Sequence, residues 1–349
     1  FFREKVEATG AVFMEYPHSL DFDTVNPGKN IGFLYYTLSW VTLNLTDFLL
    51  AEMEKIRPDY VMHDAIALWG RLVAEKCRVP AVSSVSTFAF SERDYGFLKT
   101  AAFLFNIGPS GVSMISRASS VQKKIAERYG CGRSSLVETV MNAEGLNVVY
   151  TSRAFQPRAE LYDAARYAFV GPSIGPRKTD SDTFDYSKLR RPLVYVSLGT
   201  IWKDAAVLDR IIDSLSGLGC TLVVSGKSEK LRDQTRVVVA GHINQIEVLK
   251  HCDAFVTHGG MNSVSESISA GVPMVVFPFQ TEQEEVANRV DELKCGIRIK
   301  KLKGASLRAA VLELLAEPVY AENCRHIAEG FKTAGGCIEA ARLIREYVD

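Results

Sequence analysis

From Arg191 to its end the sequence switches back and forth between two periodicities. Short β-branched runs recur as "LVYVSLGT", "TLVVSG", "RVVVAG", "AFVTH", "PMVVFP" and "GIRIK". Helical stretches separate them. Asp204 to Leu215 puts Leu208, Ile211, Ile212 and Leu215 on one face, and Gln245 to Lys250, a run from Ser263, and Glu282 to Lys294 follow the same rule. Three more helical stretches finish the chain. Strands that are apolar on both faces need helices above and below, so the alternation predicts βα units in a mostly parallel sheet.

The first half has the same grammar with longer insertions. Its strand candidates are "AVFMEY", "YVMHD", "PAVSSV", "LNVVYT" and "YAFVG", with a long helix over Ile31 to Lys55 and an apolar, loop-broken stretch from Phe88 to Arg128. Between the halves lies "GPSIGPRKTDSDTFDYSKLRRP", residues 171 to 192, whose Pro, Gly, Ser and charge are a linker composition. The expected organisation is an N-terminal domain over 1–172, a linker over 173–190 and a C-terminal domain over 191–335. Two such domains facing each other make a cleft, and open α/β sheets take ligands at the carboxyl ends of their strands.

Charge and cysteine content narrow the function. Lys plus Arg and Asp plus Glu are 41 each, so no overall field draws nucleic acid or a membrane surface. The cluster Lys300, Lys301 and Lys303 reads as a solvated strand edge. Seven scattered cysteines without a C-x-x-C pair argue against a disulfide framework or zinc site and for a reducing cytoplasm. The long uncharged runs, Asn30 to Thr46 and Thr100 to Ser116, fall short of the roughly 20 apolar residues of a membrane span, so no stable membrane insertion is expected. The opening "FFREKVEATGA" reads as a helix capped by Gly10. A parallel sheet needs a further strand before it, so a first βα unit is expected ahead of residue 1.

The stretch "FVTHGGMNSVSES", residues 255 to 267, carries the chemistry. His258 stands at a strand end, Gly259 and Gly260 let a ligand approach the backbone, and Asn262 and Ser263 open a helix whose N–H groups and dipole attract phosphate. Ser263-x-x-Glu266 also has the spacing of a capping box, in which the two side chains only satisfy the helix start. That second reading explains neither the histidine nor the pair of glycines. "SLGT", with Ser197, Gly199 and Thr200, is a second strand-end loop able to approach the same phosphates, or an ordinary turn. Glu282 and Gln283 supply helix-start charge or hold sugar hydroxyls.

The stretch from Gln245 through "VLKHCDAFVTHGGMNSVSESISAGVPMVVFPFQTEQEEVANR" resembles the donor signature of UDP-dependent glycosyltransferases of the GT-B fold, nearest the bacterial macrolide-type branch. "PLVYVSLGT", Gly171-Pro172 and "AGGCIEAARLI" extend the likeness over nearly the whole chain. The resemblance implies two Rossmann-like domains, with the helix at 336–349 packing back on the first. It implies that His258, Asn262 and Ser263, with Gly260, hold the diphosphate of a UDP-sugar, Glu266 the ribose, and Gln245 the uracil and ribose. His242 takes the place of the aromatic that stacks on uracil, and Asn244 replaces a proline. Glu282 and Gln283 stand where Asp-Gln binds the sugar.

Enzymes of this kind invert the anomeric centre in one displacement, with no cofactor and no metal. The Asp-x-Asp strings at 21–23 and 180–182 lie in polar loops and are not read as metal ligands. The base is a histidine after the first strand, expected before residue 1, oriented by Asp64. Asp64 alternatively caps a helix following at Ala65. His63 points to the opposite face and does not substitute. His18, in a loop, has nothing to position it. Tyr35, Trp40, Phe88 and Phe90 line an acceptor pocket or are core. The expected activity is transfer of a hexose, glucose, to a hydroxyl of a phenolic, macrolide or sterol-like acceptor. Glycolipid or cell-wall glycosyl transfer and non-catalytic sugar-nucleotide binding are the alternatives.

Overall fold

The computed structural model describes residues 2–17, 31–90, 97–175, 186, 189–199, 205–226, 236–241 and 243–349, and of 97–107 the backbone alone. The first half contains α1 (Arg3–Glu7), α2 (Ile31–Ile56), β1 (Val61–Asp64), α3 (Leu68–Cys77), β2 (Ala81–Val85), α4 (Phe97–Tyr129), α5 (Leu136–Met141), β3 (Leu146–Val149) and β4 (Tyr167–Phe169). The four strands make one sheet in the order β1-β2-β3-β4, and β1 and β2 are parallel with Val61 opposite Ala81.

The second half follows as β5 (Leu193–Ser197), α6 (Ala205–Leu215), β6 (Thr221–Ser225), β7 (Val237–Ala240), α7 (Gln245–Leu249), β8 (Ala254–Thr257), α8 (Met261–Ser269), β9 (Met274–Val276), α9 (Thr281–Glu292) and β10 (Gly296–Arg298). Helices α10 (Gly304–Ala316), α11 (Val319–Thr333) and α12 (Gly336–Val348) close the chain. The six strands form a parallel sheet in the order β10-β9-β8-β5-β6-β7. Contacts divide the chain into two compact units. One is Phe1–Ser84 with Phe90–Asn147 and Tyr347–Asp349, and the other is Val85–Ala89 with Val148–Glu346.

The apolar runs behave as strands buried on both faces must. Successive side chains alternate, so β5 sends Tyr195 to one side and Val194 and Val196 to the other. Tyr195 stacks on Phe255 of β8 with ring centroids 5.0 Å apart, among Val264, Ile268 and Met274. Val194 and Val196 pack with Val256, Val275, Ile211 and Leu307 on the opposite face. The central strands β5, β8 and β9 are buried throughout, whereas the edge strand β7 is half-buried.

Three expectations need correction. Residues 11–17 form no strand, and Val12 is 92% exposed. An alternating apolar pattern becomes a strand only beside a neighbour that takes its N–H and C=O groups, and none of the described strands lies there. The region read as loop-broken is the long α4, interrupted at Gly108 (φ 64°, ψ 175°) where Pro109 removes an N–H donor. Helix α8 starts at Met261, two residues earlier than Ser263.

Helices α2 and α4 cross closely enough that a Cβ on Gly32 would lie 2.4 Å from the Gly111 carbonyl oxygen. Neither backbone can give way without parting the helices. Gly32→Ala is expected to cost about 1–3 kcal/mol, read as an earlier urea transition of the first unit; an unshifted transition would contradict this packing.

Candidate functional site

The order of the six-stranded sheet reverses between β5 and β8, which are neighbours although two strands separate them in sequence. Chain leaving β5 and chain leaving β8 turn away to opposite sides, and the crevice at their carboxyl ends is where such sheets bind ligands. The loop after β5 carries Gly199 and the loop after β8 carries His258, Gly259 and Gly260.

Each of the three glycines there has its own reason. Gly199 (φ 75°) and Gly259 (φ 88°) occupy the left-handed region that side chains avoid. Gly260 has φ −62° and ψ 137°, which any residue adopts. Its constraint is the histidine: a Cβ at 260 would stand 2.7 Å from His258 Nε2. On the other side, a Cβ at Gly199 would stand 2.8 Å from His258 Cε1. The imidazole is thus held between two bare backbone positions, which is why one glycine would not have been enough. Its Nδ1 is buried without a hydrogen-bond partner, and burial holds the ring below the usual histidine pKa.

Helix α8 takes Gly260 as its N-cap, and no side chain caps it. Asn262 and Ser263 are the second and third helical residues. The backbone N–H groups of this first turn, with the positive end of the helix dipole, therefore face the crevice without a side-chain acceptor. The capping-box reading of Ser263 and Glu266 is overturned, because Ser263 lies inside the helix. Glu266 is one turn further on and only 4% exposed. A carboxylate this buried needs a donor. Gln245, the first residue of α7, supplies one. Its Nε2 donates to Glu266 Oε2 at 2.8 Å and to Ser263 Oγ at 3.1 Å. Asn244 serves as the N-cap of α7, accepting from the Glu247 N–H.

The other predicted residues of this half divide. Ser197 is buried at the end of β5, opposite its register partner Ser225 on β6. That places Ser197 in the core rather than toward a phosphate. Gln283 is buried, and its amide oxygen accepts from the Phe279 and Gln280 N–H groups at 2.9 and 3.2 Å. It forms a reciprocal capping pair with Gln280 at the start of α9, the helix-start role rather than an outward-facing one. The Gln280-x-x-Gln283 spacing carried that signal in the sequence, with Gln in place of the usual Ser or Thr. Glu282 is exposed on the first turn of α9. Thr200, His242, His18 and both Asp-x-Asp strings lie outside the described residues.

In the first half, Asp64 ends β1 and is exposed. Its Oδ1 accepts from the Ile66 N–H at 3.0 Å, an Asx turn. It does not cap α3, which starts at Leu68 with Ala67 as N-cap. His63 faces the opposite way, buried, with Nε2 3.2 Å from Glu144 Oε1 and Nδ1 3.0 Å from the Asp64 carbonyl oxygen. Tyr35 is core, its hydroxyl donating to the Ser134 carbonyl at 2.6 Å. Phe88 is also core, 5.5 Å from Phe155. Trp40 and Phe90 are half-buried. Among the described residues no group of three or more His, Cys, Asp or Glu is placed to hold a metal, and no helix is long and apolar enough to cross a membrane.

Removing the Gln283 amide leaves two backbone N–H groups at the start of α9 without their acceptor. Gln283→Ala is expected to lower stability by about 1–2 kcal/mol in chemical denaturation. A variant as stable as the parent would show that these contacts contribute nothing.

The sequence profile of the UDP-glucoronosyl and UDP-glucosyl transferase family matches residues 168–332, which include β5, Gln245, β8 and α8. NDP-glycosyltransferase YjiC of Bacillus subtilis (strain 168) is 32% identical, covering 86% of this chain and 76% of its own. Uncharacterized UDP-glucosyltransferase YdhE of the same organism is 29% identical, covering 99% of this chain and 89% of its own. The crystal structure of the glycotransferase of kitacinnamycin superposes with a TM-score of 0.84 at 25% identity, over 100% of this chain and 89% of that one. With that likeness behind the two parallel sheets and the uncapped helix after β8, the chain belongs to the UDP-glucoronosyl and UDP-glucosyl transferase family and is a UDP-glycosyltransferase of the GT-B fold.

Proposed function

We propose that the protein transfers glucose from UDP-glucose to a hydroxyl of a small hydrophobic acceptor, phenolic, macrolide or sterol-like, with inversion and without a metal or resident cofactor. The observation that carries this reading is the uncapped N-terminus of α8 beside His258, with the Gln245–Glu266 pair one turn along. Backbone N–H groups, Asn262, Ser263 and His258 make a cradle for a diphosphate, and Glu266 offers a carboxylate to ribose hydroxyls. As the bond to the sugar breaks, negative charge grows on the departing UDP. Fixed N–H donors then stabilise it more than they stabilise the bound donor. Glu282, exposed at the start of α9, is assigned to the sugar, and Gln283 to holding the loop before it.

Asp64 is assigned to orienting the histidine base that takes the acceptor proton. Residues 1–172 take the acceptor role and 191–335 the donor role. Of the four acceptor candidates, half-buried Trp40 and Phe90 are retained, and Tyr35 and Phe88 are given up to the core. The likeness to the glycotransferase of kitacinnamycin supports a natural-product acceptor. A cytoplasmic location agrees with the cysteine pattern.

Calorimetric titration with UDP tests the donor half. Wild type is expected to bind, and Glu266→Gln to lose about tenfold in affinity, one charge-assisted hydrogen bond. Equal or tighter binding of GDP would overturn the nucleotide assignment. Mass-spectrometric detection of glucosylated products from UDP-glucose and a panel of phenols, macrolides and sterols tests the acceptor half. Products only on sugars or peptides would overturn it. Transfer is expected to survive chelator unchanged, and a loss restored by added Mg²⁺ would refute the metal-free mechanism.

A further inference from the structure

We propose that His258 meets its anion as an uncharged ring that donates from Nε2–H, with the Nδ1 lone pair sealed inside the protein. This rests on the assignment of His258 to the donor diphosphate, and adds which nitrogen carries the proton and what keeps it there.

The two ring nitrogens have different surroundings. Nδ1 is buried and has no hydrogen-bond partner, whereas Nε2 is not among the buried atoms left without one. A charged imidazolium would carry an N–H at Nδ1 with nothing to receive it, and no described residue supplies the ring a counter-charge. The neutral Nδ1–H tautomer has the same orphan donor, and it would turn a bare Nε2 lone pair toward an anion. Orphaned buried N–H groups are rarer in folded proteins than under-used acceptors. The Nε2–H form avoids both problems.

The groups packed on the ring do not alter this balance. Gly199 covers it from the loop after β5 and Gly260 from the cap of α8, and neither carries charge. Burial acts on the ring in the same direction, toward the neutral form, and no charged side chain among the described residues opposes it. Gly260 then acquires a specific purpose. Its backbone conformation suits any residue, yet a Cβ there would stand 2.7 Å from Nε2, against the nitrogen that carries the proton. Gly260 is a positioning residue acting through His258. The diphosphate is consequently held at this point by a neutral hydrogen-bond donor and a helix N-terminus rather than by a fixed cation.

Side-chain amides separate the two nitrogens, because a Gln amide reaches the place of Nε2 and an Asn amide the place of Nδ1. In UDP titrations of the full chain, His258→Gln is expected to stay within about threefold of wild type, while His258→Asn and His258→Ala lose about tenfold or more. Retention by Asn and loss by Gln would overturn the proposal. Gly260→Ala is expected to lose about tenfold in the wild-type background and nothing further beside His258→Ala. Equal losses in both backgrounds would overturn the positioning role.

Nitrogen-15 NMR of the histidine rings in the unliganded wild type needs no variant. His258 is expected to show a protonated Nε2 and a bare Nδ1 at neutral pH, with a titration midpoint below that of a free histidine. A protonated Nδ1 at neutral pH, or a midpoint at or above the free value, would overturn the tautomer whatever the variants do. UDP binding unchanged in His258→Ala would remove the diphosphate assignment while the NMR result still decides the tautomer, so the two failures are distinguishable.

Discussion

A helix that begins without a side-chain cap has to satisfy its first N–H groups elsewhere, and α8 begins that way at the one point where the six-stranded sheet reverses its order. Much of the neighbouring sequence follows from that condition. Gly260 is the cap because the His258 ring occupies the space a Cβ would need. Gly259 adopts φ 88° to turn the chain from β8 into the helix, where a Cβ would also meet Val276 at 2.6 Å. Gly199 leaves the other face of the ring clear. In the proposed function, the crevice offers the departing nucleoside diphosphate several directed donors that do not have to reorganise when charge appears.

The rigid sheet makes this arrangement precise. Tyr195 and Phe255 lock β5 to β8 by stacking across the buried face. That contact helps fix the distance between the two loops that hold His258. The Gln245 bridge then ties α7 to α8 through Glu266 and Ser263, so a buried carboxylate keeps its orientation without a ligand. Pre-organisation of this kind moves the cost of ordering from binding to folding.

Much of this was legible in the sequence because it is local. β-branched runs bounded by glycine and proline became the strands, and His258-Gly259-Gly260 fell at the strand end where the sheet order reverses. The errors came where one local pattern has two meanings or where the partner is distant. Ser263-x-x-Glu266 imitates a capping box, yet the helix starts earlier because Gly260 already provides the extended cap residue. "AVFMEY" alternates like a strand, but alternation says nothing about who pairs with it. Tyr35 resembled a pocket aromatic until its hydroxyl found the carbonyl of Ser134, far along the chain. Gln283 resembled a sugar ligand until its oxygen found two backbone N–H groups. Asp64 was open to reading as the cap of a helix at Ala65, but α3 starts only at Leu68 with Ala67 as its N-cap.

The central claim is that the backbone N–H groups at the start of α8 bind the donor's diphosphate. Amide hydrogen exchange measured with and without saturating UDP addresses those groups directly. The account predicts that exchange of Met261, Asn262 and Ser263 slows by about tenfold or more on binding. UDP binding that protects other segments and leaves these three amides unchanged would contradict it.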